Sequence, residues 1–557
     1  MTSASTTACH FGRRTDAVSL HKLGASFVLI AVLLAPSIWM LSAIPPLWRD
    51  VDAYLQLTRP PGPNTILQYG PLYCFVARIP LYLGYAAECL RVGASLPTLS
   101  FFAHPVLSDS GVFLLVGSQH LALALTSSYV IAVSTRLLLV RFIIAVAWAA
   151  NPLFYTLAHC VGGETLSMIL VLLIGATGLR IIRQSRNVPK KEWFLIGVLL
   201  WLCTLTRQIN AVLAGLLPLT LGLLILYRSS AVRFAGCQSR ARWNGLRCKQ
   251  DFQKAMVAVA VGISSIVLAN ASLRTLCYAV EIPYHSVVGF AFLGRLKFLA
   301  ALPVEERNQL LDNATKNTNS ADVKKVISLL RNEFRGGTAK WDIGAFKKRA
   351  QASLFPPEGD VAQQQRFYHA LNEMVAAFLC PPSKISLSAV ATDLKTSQQI
   401  TIPEVVGFLF VTTKFYFSHR EMMPQCASLI TFRDKNADQI FALFKSHSYF
   451  QHPKKLTYRA LFGCWAGLLA LFCLITKIRK RDGADLASYS AALTTLGLFI
   501  MFANCLLAVF QPRYTIPMWE LAIMSVTILF GAIMEYLVSP LPSVSRSRPE
   551  EIANTPH

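Results

Sequence analysis

A chain of 557 residues that is 54% hydrophobic and only 15% charged, with mean hydropathy +0.46, is too apolar for an ordinary soluble protein. Apolar stretches of about 18 or more residues recur along it, long enough to cross a hydrocarbon core as helices. The alternation of a transmembrane β-barrel is absent. Helices satisfy their own backbone hydrogen bonds in lipid, so the expected class is an all-α polytopic membrane protein. The net charge of +24 does not point to nucleic acid, because no basic stretch is interleaved with aromatic residues as a nucleic-acid groove requires.

In chain order, residues 1–23 read as a polar, basic cytoplasmic tail ahead of the first span, the pattern of a signal-anchor rather than a cleaved leader. About ten transmembrane helices are expected, within a range of 9–12. The spans are 24–45, 111–134, 139–157, 165–182, 193–207, 209–227, 255–280, 459–477, 486–510 and 515–537. Three basic loops alternate with them: Arg183, Arg186, Lys190 and Lys191; then Arg228 to Lys254 against Asp251 alone; then Lys477, Arg479, Lys480 and Arg481. With the N-terminus inside, all three fall inside, as positive-inside orientation requires.

The chain divides into an N-terminal transmembrane module at 24–280, a large loop at 281–458, C-terminal helices at 459–537 and a disordered cytoplasmic tail at 538–557. Two stretches are exported, one inside the first module and one the large loop itself. The first exported loop, 47–110, carries an acidic pair, then prolines, then an apolar aromatic stretch that reads as interfacial helix. The second, 281–458, reads as a mostly helical cap. The 13 cysteines show no metal-ligand spacing. Cys380 and Cys426 share the second loop, an arrangement compatible with a disulfide.

Polar groups gather at the outer ends of the spans. Asp50 and Asp52, in Trp-Arg-Asp-Val-Asp-Ala-Tyr, follow the first. His159 and Glu164 lie between the third and fourth, and Arg207 between the fifth and sixth. Tyr284 and His285 follow the seventh, and Arg513 and Tyr514 open the last. Each alone has an ordinary reading: snorkelling for Arg207, a helix N-terminal acid for Glu164, a loop residue for His159. Together, on one side of the membrane, they suggest an anion site opposite a general base. Transport of a lipid-linked or anionic solute is the alternative reading, although no internal repeat is visible.

In this order the motifs resemble polytopic glycosyltransferases of the GT-C type, in particular protein O-mannosyltransferases and aminoarabinose transferase-like bacterial proteins. Asp50 and Tyr54 match an Asp-x-x-x-Tyr spacing in the first exported loop. Gln-Tyr-Gly-Pro-Leu-Tyr at 68–73 is similar to Tyr-Pro-Pro-Leu-Tyr, with Gly70 where proline is common. Gly-Glu-Thr-Leu-Ser at 163–167, Leu-Thr-Arg at 205–207 and Arg-Tyr-Thr-Ile-Pro at 513–517 resemble the family's later motifs. The loop 281–458 matches no part of it.

The resemblance implies a GT-C-like fold and transfer of a sugar from a polyprenyl-phosphate donor to a hydroxyl of a glycan, lipid or protein. Asp50 would take the acceptor's proton, with Asp52 as rival or helper. Arg207 and Arg513 would hold the departing phosphate. Tyr54, His159, Glu164 and Tyr514 would position substrate. No cofactor is expected: Asp-x-Asp can hold a divalent metal for a nucleotide sugar, but no nucleotide sugar is expected on the outer face. The expected location is a bacterial plasma membrane, among its lipids, with the site facing outward.

Overall fold

The computed structural model describes the chain apart from residues 1–10, 63–65, 68, 185–187, 235–240, 336–342, 355–360, 430–441, 443–455, 480–482, 509 and 540–557. Residues 1–10 of the expected N-terminal tail and all but two residues of the expected C-terminal tail lie outside the described residues, and α1 runs back into the N-terminal tail as far as Phe11. The described chain is helical. Its only sheet pairs two two-residue strands, β1 (Leu47–Trp48) and β2 (Cys160–Val161), in parallel. In the first half run α1 (Phe11–Ala43), α2 (Val51–Thr58), α3 (Pro71–Arg91), α4 (Asp109–Ser134), α5 (Leu138–Ala149), α6 (Pro152–Ala158), α7 (Glu164–Arg183), α8 (Lys190–Thr206), α9 (Ala211–Phe234) and α10 (Ala241–Ala279). The loop 281–458 contributes α11 (Val288–Arg295), α12 (Val304–Lys316), α13 (Ala321–Arg335), α14 (Ile343–Leu354), α15 (Val361–Leu379), α16 (Lys384–Gln399), α17 (Ile402–Ser418) and α18 (Pro424–Ser428). The chain closes with α19 (Tyr458–Ile478), α20 (Ala484–Leu507) and α21 (Ile516–Val538).

Eight of the described helices are each long and apolar enough to cross a membrane, which makes this an all-α polytopic membrane protein. Two departures from the expected spans have local causes. Asn151 caps and Pro152 opens α6, so the span over 138–158 is bent by 64°. A proline has no N–H to continue the preceding helix. The expected span 193–207 is the 17-residue α8, roughly 25 Å long and short for a full crossing. It stops at Arg207, whose φ of −152° is extended, and the early stop leaves that arginine at the helix end instead of in lipid.

The cap also differs from expectation. By composition α15 and α16 together would count as a span, but they are bent by 97°. The apolar residues of α15 (Phe367, Leu371, Met374 and Phe378) form the cap's own core with Leu311, Val326 and Leu330, so their hydropathy reflects packing within the cap. Cys380 is exposed, Cys426 is buried, and both are free thiols, so the disulfide compatible with the sequence is not formed. At Gly289 of α11 a Cβ would stand 2.3 Å from the Leu371 carbonyl carbon. The Asn372 side chain accepts the Gly289 N–H at 2.8 Å and donates to Ser286 O at 3.1 Å. These contacts fasten α11 to the cap core.

Arg78 organises the first loop. It is wholly buried and its guanidinium donates to the carbonyls of Gln56 (2.8 Å), Arg59 (2.6 Å) and Phe102, closing the C-terminal end of α2 against α3. A helix end leaves carbonyls unsatisfied unless a donor meets them. Arg78→Met is expected to leave three acceptors without this donor and to destabilise the protein by roughly 3 kcal/mol. Thermal unfolding in detergent measures this, and an unchanged Tm would show that Arg78 does not hold α2.

Candidate functional site

The sheet brings the first two motifs together. The Leu47 N–H donates to His159 O at 3.1 Å and the Arg49 N–H to Val161 O at 3.2 Å. The loop after α1 therefore lies alongside the loop before α7, and Arg49 and Asp50 face Glu164. Arg49 Nε donates to both Asp50 oxygens at 3.0 Å, and its terminal nitrogen lies 3.4 Å from Glu164 Oε2. The turn before α21 adds Arg513, 2.7 Å from Asp50 Oδ2 and 4.0 Å from Glu164 Oε1. Two arginines and two acids, each no more than 14% exposed at the side chain, form an ion-paired cluster at one end of the bundle. At the other end Arg180 pairs with Glu192 at 2.5 Å and Arg183 with Glu535 at 3.8 Å.

Against this cluster lies a cavity of about 420 Å³, large enough for a charged head group and a short apolar segment. Its polar wall carries Arg49, Asp52, Tyr69, Glu164, Arg207 and Arg513. Its apolar wall comes from Val288, Ala291 and Gly294 of α11, Ile343 of α14 and Leu507 of α20. The two acids of the first motif have different surroundings. Asp50 caps α2 by accepting the Ala53 N–H at 2.8 Å. Burial opposes its charge, but the Arg49 and Arg513 guanidiniums outweigh burial and hold its carboxyl well below the usual carboxylate range. Asp52 lines the cavity and accepts a hydrogen bond from Tyr69 on Oδ2. Burial and the neighbouring Asp50 charge push its proton affinity up. Burial and the Asp52 carboxylate push the Tyr69 phenol well above its ordinary range, so Tyr69 remains a donor.

Arg207 differs from the other two arginines. Among the described residues it makes no side-chain hydrogen bond and no ion pair. Its guanidinium lies 5.7 Å from the Tyr514 ring centre, and Arg513 lies 5.6 Å from the same ring. Arg207 is half-buried and opens onto the cavity, so its charge is free to meet an anion there. Comparison with protein-family models gives no match, and neither does comparison with curated proteins.

Of the residues expected from sequence, Asp52, Glu164, Arg207, Arg513 and Tyr514 line the cavity, and Asp50 lies behind it. Tyr54 and His159 do not reach it. The Tyr54 hydroxyl accepts the Gln425 N–H at 3.1 Å and its ring packs on Trp48. His159 is 1% exposed. Its Nε2 reaches Ile44 O at 2.9 Å and Pro45 O at 3.1 Å, which makes Nδ1 the acceptor for His120 Nε2 at 3.2 Å. His120 Nδ1 in turn meets Ser37 Oγ at 2.8 Å. This relay ties α1 and α4 to β1, so any influence of His159 on the site passes through the backbone.

Five polar cavity residues were missed: Arg49, Tyr69, Gln208, Asn504 and Gln511. All but Asn504 sit within two residues of a motif already singled out, and that adjacency was the available signal. The valine, alanine and glycine of α11 carry none. No group of three or more His, Cys, Asp or Glu side chains able to hold a metal ion exists among the described residues.

Proposed function

We propose that this protein is a GT-C-like membrane glycosyltransferase that moves a sugar from a polyprenyl-phosphate donor to an acceptor hydroxyl at the outer membrane face. One observation carries the reading. The cavity sets Arg207, a guanidinium with no ion pair among the described residues, and a carboxylate of raised proton affinity, Asp52, into one amphiphilic space. An amphiphile with an anionic head is the ligand class that such walls fit.

Asp52 is the better general base. Asp50 is held ionised by two arginines and takes a proton poorly, whereas Asp52 Oδ1 makes no hydrogen bond among the described residues and its carboxyl gains a proton more readily. The acceptor oxygen forms a bond to the anomeric carbon as its proton passes to Asp52. The bond from that carbon to the phosphate oxygen breaks, and its electron pair leaves with polyprenyl phosphate; a single displacement inverts configuration. The negative charge lost from Asp52 appears on the phosphate, where Arg207, with Arg513 and Arg49 behind it, stabilises it electrostatically. Arg513 also holds Asp50 in place, and Glu164 keeps Arg49 and Arg513 aligned.

The outward orientation rests on the basic loops at the opposite ends of the spans. The product lipid tests the anion site without an acceptor. Micromolar polyprenyl phosphate is expected to raise the Tm of the wild type by several degrees and to leave Arg207→Gln unmoved. No shift in the wild type would sink the reading.

One observation favours a transporter. Glu520 lies inside α21, is 1% exposed and has no ion pair among the described residues, and intramembrane acids are often functional. Glu520 does not line the cavity, and among the described residues no other buried acid has both carboxylate oxygens without a hydrogen-bond partner.

A further inference from the structure

A base and an anion site carried on different segments act on one substrate only if something fixes their separation. Ile66, Leu67, Tyr69 and Gly70 between them touch both. Ile66 and Leu67 are fully buried against Leu205, Ala269 and Leu273, and the Leu67 carbonyl accepts the Gln208 side chain. Gly70 has φ +83°, and a Cβ there would stand 2.4 Å from Leu205 O and 2.6 Å from Thr206 O. Only glycine combines that left-handed backbone with so close an approach. The Gly70 backbone is thus pressed onto the turn that carries Arg207. On its other side Tyr69 donates to Asp52 Oδ2, and its ring lies 5.2 Å from the Arg49 guanidinium.

We infer that Tyr69 and Gly70 form a strap that registers the general base against the anion site. Tyr69 occupies Oδ2 and presents Oδ1 to the acceptor; Gly70 sets the position of the Arg207 turn. Both are positioning residues, and their role rests on the sugar-transfer reading for its chemistry. The Tyr69 contact with Asp52 can also be tested without that reading.

The charged and titratable groups around Asp52 are Asp50, Arg49, Arg513 and Tyr69, with Tyr416 of α17 facing it from the cap. A hydrogen bond donated to an ionised carboxylate favours the ionised form. Removing the Tyr69 hydroxyl therefore raises the proton affinity of Asp52, and the acid limb of the kcat/KM profile moves to higher pH.

Tyr69→Phe keeps the ring over Arg49 and is expected to move that limb up by about one pH unit, with donor KM changed less than about threefold. Gly70→Ala is expected to do the opposite: donor KM rises at least about tenfold and the limb stays in place. Infrared titration of the Asp52 carboxyl, referenced to Asp52→Asn, reads the strap in protein that turns nothing over; its midpoint is expected to rise in Tyr69→Phe. Absence of transfer by the wild type would remove the sugar-transfer reading and leave this measurement standing. An infrared midpoint and a pH profile both unchanged in Tyr69→Phe would overturn the strap, as would a limb shift of equal size in both variants.

Discussion

Asp52→Asn is expected to lower sugar transfer by about 10³-fold or more with thermal unfolding almost unchanged. The size follows from the loss of a general base from the reacting hydroxyl. The intact fold follows from the surroundings, because among the described residues Asp52 has one hydrogen-bond partner, Tyr69, and is no part of an ion pair. Asp50→Asn is expected to behave in the opposite way. It removes the carboxylate that Arg49 contacts at 3.0 Å and Arg513 at 2.7 Å, leaving two buried guanidiniums to share Glu164. Breaking a buried pair costs about 3–5 kcal/mol, so Tm falls sharply and activity falls with the amount of folded protein. Measuring Tm and activity on both variants separates the roles. A stable, inactive Asp50→Asn beside an active Asp52→Asn would return the base to Asp50, the residue that the sequence ranked first.

Arg207→Gln is the second large effect. Its guanidinium has no carboxylate within ion-pair distance among the described residues, so the substitution releases an unpaired cation and is expected to leave Tm equal or higher. The loss falls on substrate: kcat/KM for the donor is expected to drop about 10²–10³-fold, the size found when one donor to a developing anion is removed. Arg207→Lys should recover only part, because a point charge does not reproduce the planar fork. Calorimetric titration with polyprenyl phosphate supplies the binding half of the comparison. Equal affinity in wild type and Arg207→Gln would place the anion elsewhere.

The residues that were readable in advance share a physical reason. Charges are rare beside apolar spans, so Asp50, Asp52, Glu164, Arg207 and Arg513 stood out, and a consistent topology placed them on one side. The structure gathers all five. Two-residue strands have no sequence signature, so the pairing that sets Arg49 against Glu164 was invisible. His159 was misleading for a related reason: a histidine in a short loop looks the same whether it faces a cavity or fastens a strand. The cap's part in the cavity could not be read either, because Val288, Ala291 and Gly294 resemble any buried helix face. The buried Tyr54 shows the limit of spacing, since the aromatic expected from Asp-x-x-x-Tyr packs on Trp48 and binds the Gln425 backbone.

The most direct test of sugar transfer uses liposomes holding the purified protein and a polyprenyl-phosphate sugar labelled separately in sugar and lipid, with bond cleavage and transbilayer movement followed together. Sugar transfer predicts that the labels part company: polyprenyl phosphate accumulates, the sugar appears on an acceptor or in water, and Asp52→Asn abolishes both. Movement of the intact donor across the bilayer, both labels together and no cleavage across the donor panel, would contradict it.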